Sequence, residues 1–270
     1  MNHLLISCDY AQAELCSLAQ VCIDKFGYSE MGRLINEGID LHLYFVSKMY
    51  DQPYEELLKR KKEPQVKDWR QAAKAANFGF PGGLGVSKFV AYARDSYGVE
   101  LEEYEAKRMK DAWLETYPEM RAYFNWISNR LASAEYITVT QHRSGRQRGR
   151  VGYTDGCNTF FQGLTADGAS HAVNLLNREA WLDRSSPMYG ARMIGFFYDE
   201  FFGSIPDRGP AANHAAAYRI CEVMREAMQL YTPDVVARVE PALMRNWSKA
   251  AEAVFDANGH IIPWEDRSYT

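Results

Sequence analysis

The chain has 270 residues, of which 47% are hydrophobic and 24% charged, enough to bury the core of one large domain or two interleaved ones. It has no long apolar run, and its first residues lack the basic start and apolar stretch of a signal peptide, so it reads as a cytoplasmic protein without a membrane span. A net charge of −4 argues against a non-specific polyanion binder but leaves room for local basic clusters.

Leu4-Leu5-Ile6-Ser7-Cys8 is an apolar run that predicts a buried strand ending at Asp9-Tyr10. Ala11 to Cys22 has helical character. Apolar residues recur at helical spacing from Leu41 to Leu58 and from Trp69 to Phe80, with Pro53 and Pro64 interrupting and Pro81-Gly82-Gly83 as a sharp break. Lys59-Arg60-Lys61-Lys62 is a basic run in between, which also reads as a plain solvated surface. Ser87 to Ser96, Glu102 to Leu114 and Met120 to Ala134 read as further helices. Tyr136 to Thr140 is β-branched and strand-like, and a loop rich in Arg and Gly follows, with Arg143, Arg146, Arg148 and Arg150. Asn158 to Leu176 reads as a helix carrying small residues. Met193 to Ile205 reads as two strands joined by a tight turn, with Asp199-Glu200 at its tip. Ala211 to Leu230 is a helix, and the tail after Pro233 is mixed. Helices lie between strand-forming ends, which predicts an α+β fold with the helices segregated. Five cysteines, without a C-x-x-C pair, read as free thiols rather than as a zinc site or a disulfide framework.

Asp9 closes an apolar strand and Asp199 lies inside an apolar hairpin. Acids in such surroundings usually have a partner, and two carboxylates from neighbouring strands would form an oxygen-rich site suited to Mg²⁺. On spacing alone, termination of a strand or capping of a helix is the better explanation of either acid.

The surrounding words carry more. Asp9-Tyr10-Ala11-Gln12-Ala13-Glu14-Leu15 resembles motif A of the DNA polymerase I (A) family, usually D-Y-S-Q-I-E-L. Arg70-x-x-x-Lys74-x-x-x-Phe78-Gly79 resembles motif B, and Tyr198-Asp199-Glu200 resembles motif C, usually H-D-E. Asp40-Leu41-His42 matches a D-I-H element, and Gln162 to Asp167 (Q-G-L-T-A-D) resembles Q-G-T-A-A-D. Each word is unspecific, but the five stand in family order.

The resemblance implies a palm (an antiparallel sheet with helices) from residues 1–30 and 136–270, and inserted helical fingers from 31–135. It implies template-directed addition of deoxynucleotides to a primer 3′-end. Asp9 and Asp199, with the backbone carbonyl of Tyr10, would bind two Mg²⁺ ions. Arg70, Lys74 and Phe78 share one helix face; two cations there hold the triphosphate and the ring stacks on the base. His42, Gln12 and Glu14 join them at the nucleotide, Glu14 as the group that excludes a 2′-hydroxyl. Tyr198, Asn158, Gln162 and Arg146 would contact the primer-template, although a generic basic loop equally explains Arg146.

The sequence also departs from the family. Gly82-Gly83 replaces the Tyr-Gly that ends motif B, which bears on sugar selectivity and fidelity. Tyr198 replaces histidine, Cys16 an arginine of motif A, and Thr154 the arginine four residues before Asn158. With motif A so near Met1, the expectation is that the thumb and exonuclease domains are absent, whether the chain is half of a split polymerase completed by a separate polypeptide, the product of a degraded gene, or a truncated form. Two rival readings are a non-catalytic primer-template-binding subunit or relic, and another two-metal enzyme such as a nuclease.

Overall fold

The computed structural model describes residues 2–265. In chain order it contains β1 (His3–Ala11), α1 (Ala13–Phe26), α2 (Glu30–Asn36), α3 (Leu41–Met49), α4 (Tyr54–Lys59), α5 (Pro64–Gly79), α6 (Val86–Tyr97), α7 (Glu103–Thr116) and α8 (Glu119–Leu131). These are followed by β2 (Ile137–Thr140), β3 (Gln147–Val151), α9 (Tyr153–Leu182), β4 (Arg192–Phe197), β5 (Glu200–Pro206), α10 (Pro210–Gln229), β6 (Arg238–Met244), β7 (Val254–Phe255) and β8 (Ile261–Ile262). The fold is therefore α+β, as expected. Of the described residues, 2–13 together with 164–265 form one compact unit; Glu14–Gly163 form a second. These boundaries differ from the palm and fingers division by resemblance, and residues 1 and 266–270 of that palm lie outside the described residues.

The first unit is built on an antiparallel four-stranded sheet in the order β4-β5-β1-β6. β1, read from its apolar run as a buried strand, is buried on one face. Leu4, Ile6, Cys8 and Tyr10 are buried, whereas Leu5 and Ser7 are partly open and Asp9 is exposed. The period of two thus sends the apolar set into the core and leaves Asp9 on the accessible face. The core joins those four residues to Phe201 and Ile205 of β5, and to Ala217, Ile220 and Met224 of α10. The Tyr10 hydroxyl donates to the Met224 carbonyl at 2.6 Å, tying the strand to α10. Further along α10, a Cβ on Gly168 would come within 2.5 Å of the Met228 sulfur, so glycine permits the close approach of α9 to that helix.

The second unit is mainly helical. α5 starts with proline in its first turn, a position without need of an amide hydrogen, and continues past Gly79 as a single 3₁₀ turn, Phe80–Gly82. Gly83, at φ +76°, ends it in the left-handed region that glycine adopts freely. Phe80, Phe89 and Trp113 pack together beneath, with ring centroids 4.1 and 5.7 Å from Phe80. The segment read as an Arg/Gly-rich loop contains β3, paired with β2. Its burial pattern is exposed at four of five positions, so no alternation marked it.

Candidate active site

The carboxylates sit where the sheet brings distant strands together. Asp9 on β1 lies directly opposite Glu200 of β5 on one side and Glu240 of β6 on the other. Opposed residues of an antiparallel pair point to the same face, so three acids stand abreast. Tyr198 and Asp199 are the two residues of the turn between β4 and β5, and the Tyr10 amide donates to the Asp199 carbonyl at 3.3 Å. Asp199 is thereby held beside Asp9. Glu200 is engaged by the Ser7 hydroxyl at 2.5 Å.

Both carboxylate-bearing segments contain a non-glycine residue at positive φ, Gln12 (59°) and Tyr198 (59°). Such backbone costs roughly 1–2 kcal/mol and concentrates at functional positions. The Gln12 side-chain oxygen is buried without a hydrogen-bond partner, and Tyr198 is 98% exposed.

The electrostatics of the pair are uncompensated. The Asp9 carboxyl is pushed up to about 7, first by partial desolvation and then by the charges of Asp199, Glu200 and Glu240. Asp199 is also raised, by desolvation and by Glu200. Hard carboxylate oxygens in mutual repulsion are the chemistry that a divalent cation relieves, so Asp9 and Asp199 fit Mg²⁺. Among the described residues no group of three or more His, Cys, Asp or Glu side chains gathers into a complete metal cage; protein carboxylates usually supply only one or two ligands to Mg²⁺.

The second unit carries the basic face. Along α5, Arg70, Lys74 and Phe78 retain solvent access, whereas Ala72, Ala73, Ala75, Ala76, Asn77 and Gly79 are buried. Arg70 Nε meets Asp40 Oδ2 at 2.9 Å. Asp40 caps α3 with its other oxygen, which accepts from the amides of His42 and Leu43. Burial alone would raise the Asp40 carboxyl, but Arg70 and Lys61 outweigh it and hold it well below its usual range.

His42 is 2% exposed and its ring lies 5.5 Å from that of Phe78. Burial, together with Arg70, Lys74 and Lys61, pushes its pKa down to about 3 against the pull of Asp40. Its tautomer follows from a chain of bonds. The Trp113 indole can only donate, and it does so to Asn77 Oδ1 at 2.9 Å. The Asn77 amide nitrogen therefore faces His42 Nδ1, 3.0 Å away, and donates to it. The neutral ring carries its proton on Nε2, so His42 can offer a hydrogen bond but no charge. Asn77 and Trp113 were missed by sequence reasoning; a lone amide on the alanine-rich face of α5 was the available signal.

Glu14 is near Gln162, whose amide reaches it at 3.4 Å. Asn158 lies one turn before Gln162 on α9 and donates to the Thr154 carbonyl. A Cβ on Gly82 would come within 2.9 Å of the Asn158 amide, so Asn158 occupies the space beside the glycine that replaces the family's tyrosine. Arg146 donates to the Gly163 carbonyl at 2.8 Å.

The sequence model for DNA polymerase family A matches residues 1–249. The chain belongs to that family. It is similar to the DNA polymerase I of Aquifex aeolicus (strain VF5), 25% identical over 253 residues, which cover 92% of this chain and 40% of that protein. Its fold is similar to the POL domain of Pol1 from M. smegmatis, a structure described as a complex with DNA primer-template and dNTP. There the TM-score is 0.67 and the identity 19%, over 90% of this chain and 40% of the other. The chain thus spans 40% of the length of this curated relative, the Aquifex aeolicus protein. Among the described residues no helix is long and apolar enough to cross a membrane.

Proposed function

We propose that this chain carries the nucleotidyl-transfer centre of a DNA-directed DNA polymerase. Residues 1–30 and 136–270 serve as palm and 31–135 as fingers. The observation that carries the reading is the Asp9–Asp199 pair, Asp9 on β1 and Asp199 in the turn that leads into the adjacent strand β5, with its negative charge uncompensated.

In the proposed reaction the primer 3′-oxygen bonds to the α-phosphorus of a deoxynucleoside triphosphate, and the bond to the pyrophosphate breaks. Asp9, Asp199 and the Tyr10 carbonyl would hold two Mg²⁺ ions, which supply charge stabilisation to the attacking and leaving oxygens. Arg70 and Lys74 bind the triphosphate, with His42 donating a hydrogen bond from Nε2. Phe78 presents its ring to the base. Gln12 supports the nucleotide, and Glu14 excludes a 2′-hydroxyl. Tyr198, Asn158, Gln162 and Arg146 contact the primer-template. The Tyr10 phenol takes no part, because it is committed to Met224.

Primer extension with Mg²⁺ and deoxynucleotides tests this. Template-dependent extension is expected, stronger when a thumb-bearing polypeptide is supplied. Binding of primer-template with no extension under either condition would favour a non-catalytic subunit. Strand cleavage in the absence of nucleotides would favour a nuclease.

A further inference from the structure

The basic run Lys59-Arg60-Lys61-Lys62 reads as a solvated surface, and for two of its members the structure agrees. Lys59 pairs with Glu56 at 3.1 Å and Arg60 with Glu63 at 2.9 Å, each within one turn of chain. Lys61 departs from that pattern. Its Nζ reaches back to Asp40 Oδ2 at 3.0 Å, the same oxygen that receives Arg70 Nε at 2.9 Å.

Asp40 is fixed from several sides. Its Oδ1 caps α3 at 3.1 and 3.2 Å, and its own amide donates to the Tyr54 hydroxyl at 3.1 Å. Tyr54 and Lys61 flank the two ends of α4, so this short helix helps to assemble the group. One carboxylate charge is already matched by Arg70. Lys61 therefore adds charge beyond neutrality, and Lys74 adds more one turn along α5. The mutual influence of these cations is visible at Lys74, whose pKa is lowered by burial, by Arg70 and by Lys61. His42 is neutral and contributes none. Three cations around one carboxylate leave a surplus of positive charge, and Lys61 keeps 44% of its side chain exposed, accessible to a ligand.

We propose that Lys61 is a third triphosphate-binding cation, gathered with Arg70 by the shared oxygen of Asp40 and completing the polyphosphate site that Lys74 extends. This rests on the reading of the α5 face as the nucleotide site. Asp40 acts as a positioning residue, and Lys61 touches the ligand.

Titration calorimetry of the full chain with inorganic tripolyphosphate, at low salt and without divalent cations, tests the proposal. Lys61→Gln is expected to weaken binding about ten-fold, the worth of one charge-assisted hydrogen bond. Lys61→Arg should retain most of the affinity, and Lys59→Gln should bind like the wild type; circular dichroism checks that each variant is folded. If Lys61→Gln binds like the wild type while Arg70→Gln and Lys74→Gln do not, the role of Lys61 is wrong and the site stands. Equal losses in Lys59→Gln and Lys61→Gln would mean diffuse surface charge and would overturn the proposal. No binding by the wild type, or no loss in any variant, would overturn both the proposal and the site beneath it.

Discussion

At the residue scale, the side chains with unusual electrostatics are those whose neighbours were out of reach of sequence pattern. Asp9 ionises near 7 in the folded protein and near its ordinary 3.8 when unfolded. Between those values the folded chain holds the extra proton, so unfolding becomes easier as pH rises from about 4 to 7. Without metal, Asp9→Asn is therefore expected to melt higher than the wild type at pH 8 and alike near pH 4. Mg²⁺ should stabilise the wild type more than the variant. Thermal melts at the two pH values check this, and a variant that melts lower at pH 8 would contradict it. Asn77 gives a second case. It is fully buried and serves the Trp113 indole and His42 together. Asn77→Ala is expected to cost roughly 2–4 kcal/mol in urea unfolding, because two buried polar groups lose their partner. The apolar and family words marked Asp9, Arg70 and Asp199. The Asn77 bonds were not legible, because Trp113 is 36 residues away in the chain.

At the scale of elements, periodicity served where one face is buried and the other open. Trp69 to Phe80 matched the second half of α5, Ala211 to Leu230 matched α10, and Met193 to Ile205 became the hairpin β4–β5 with Asp199 in its turn. Short or uniformly exposed elements escaped. α2 has seven residues and owes its start to the Ser29 hydroxyl, which accepts from the Gly32 amide. β6 lay hidden in the mixed tail, since Glu240-Pro241 interrupts any strand-like alternation. The start of α3 is another feature that pattern alone did not value. Asp40 both caps that helix and binds Arg70 and Lys61, so Asp40→Ala should cost about 2–4 kcal/mol, combining a lost cap with two cations left beside each other. Denaturant unfolding at pH 7 measures this. The loss should shrink in strong acid, because a depressed carboxyl gives its stability above its unfolded pKa and surrenders it as pH falls through the folded one. A change below 0.5 kcal/mol at pH 7 would show that the network contributes little.

At the scale of the whole molecule, the order β4-β5-β1-β6 explains how acids far apart in the chain come to stand together. The first strand is central, and Ser7 on it bonds Glu200, 193 residues away. Family words in sequence order could suggest that Asp9 and Asp199 meet; only the strand pairing provides the contact and adds Glu240, which no motif marked. The same chain order inserts the mainly helical unit, Glu14–Gly163, between two segments of the sheet-bearing one. The central claim is that Asp9 and Asp199 are the catalytic pair of a polymerase. Single-turnover insertion of the template-specified deoxynucleotide tests it most directly, with enzyme in excess over a short primer-template and a thumb-bearing polypeptide supplied. Asp199→Ala is expected to slow insertion at least roughly a thousand-fold, as befits losing several kcal/mol of charge stabilisation at the reacting phosphate. Insertion by Asp199→Ala at the wild-type rate would contradict the account.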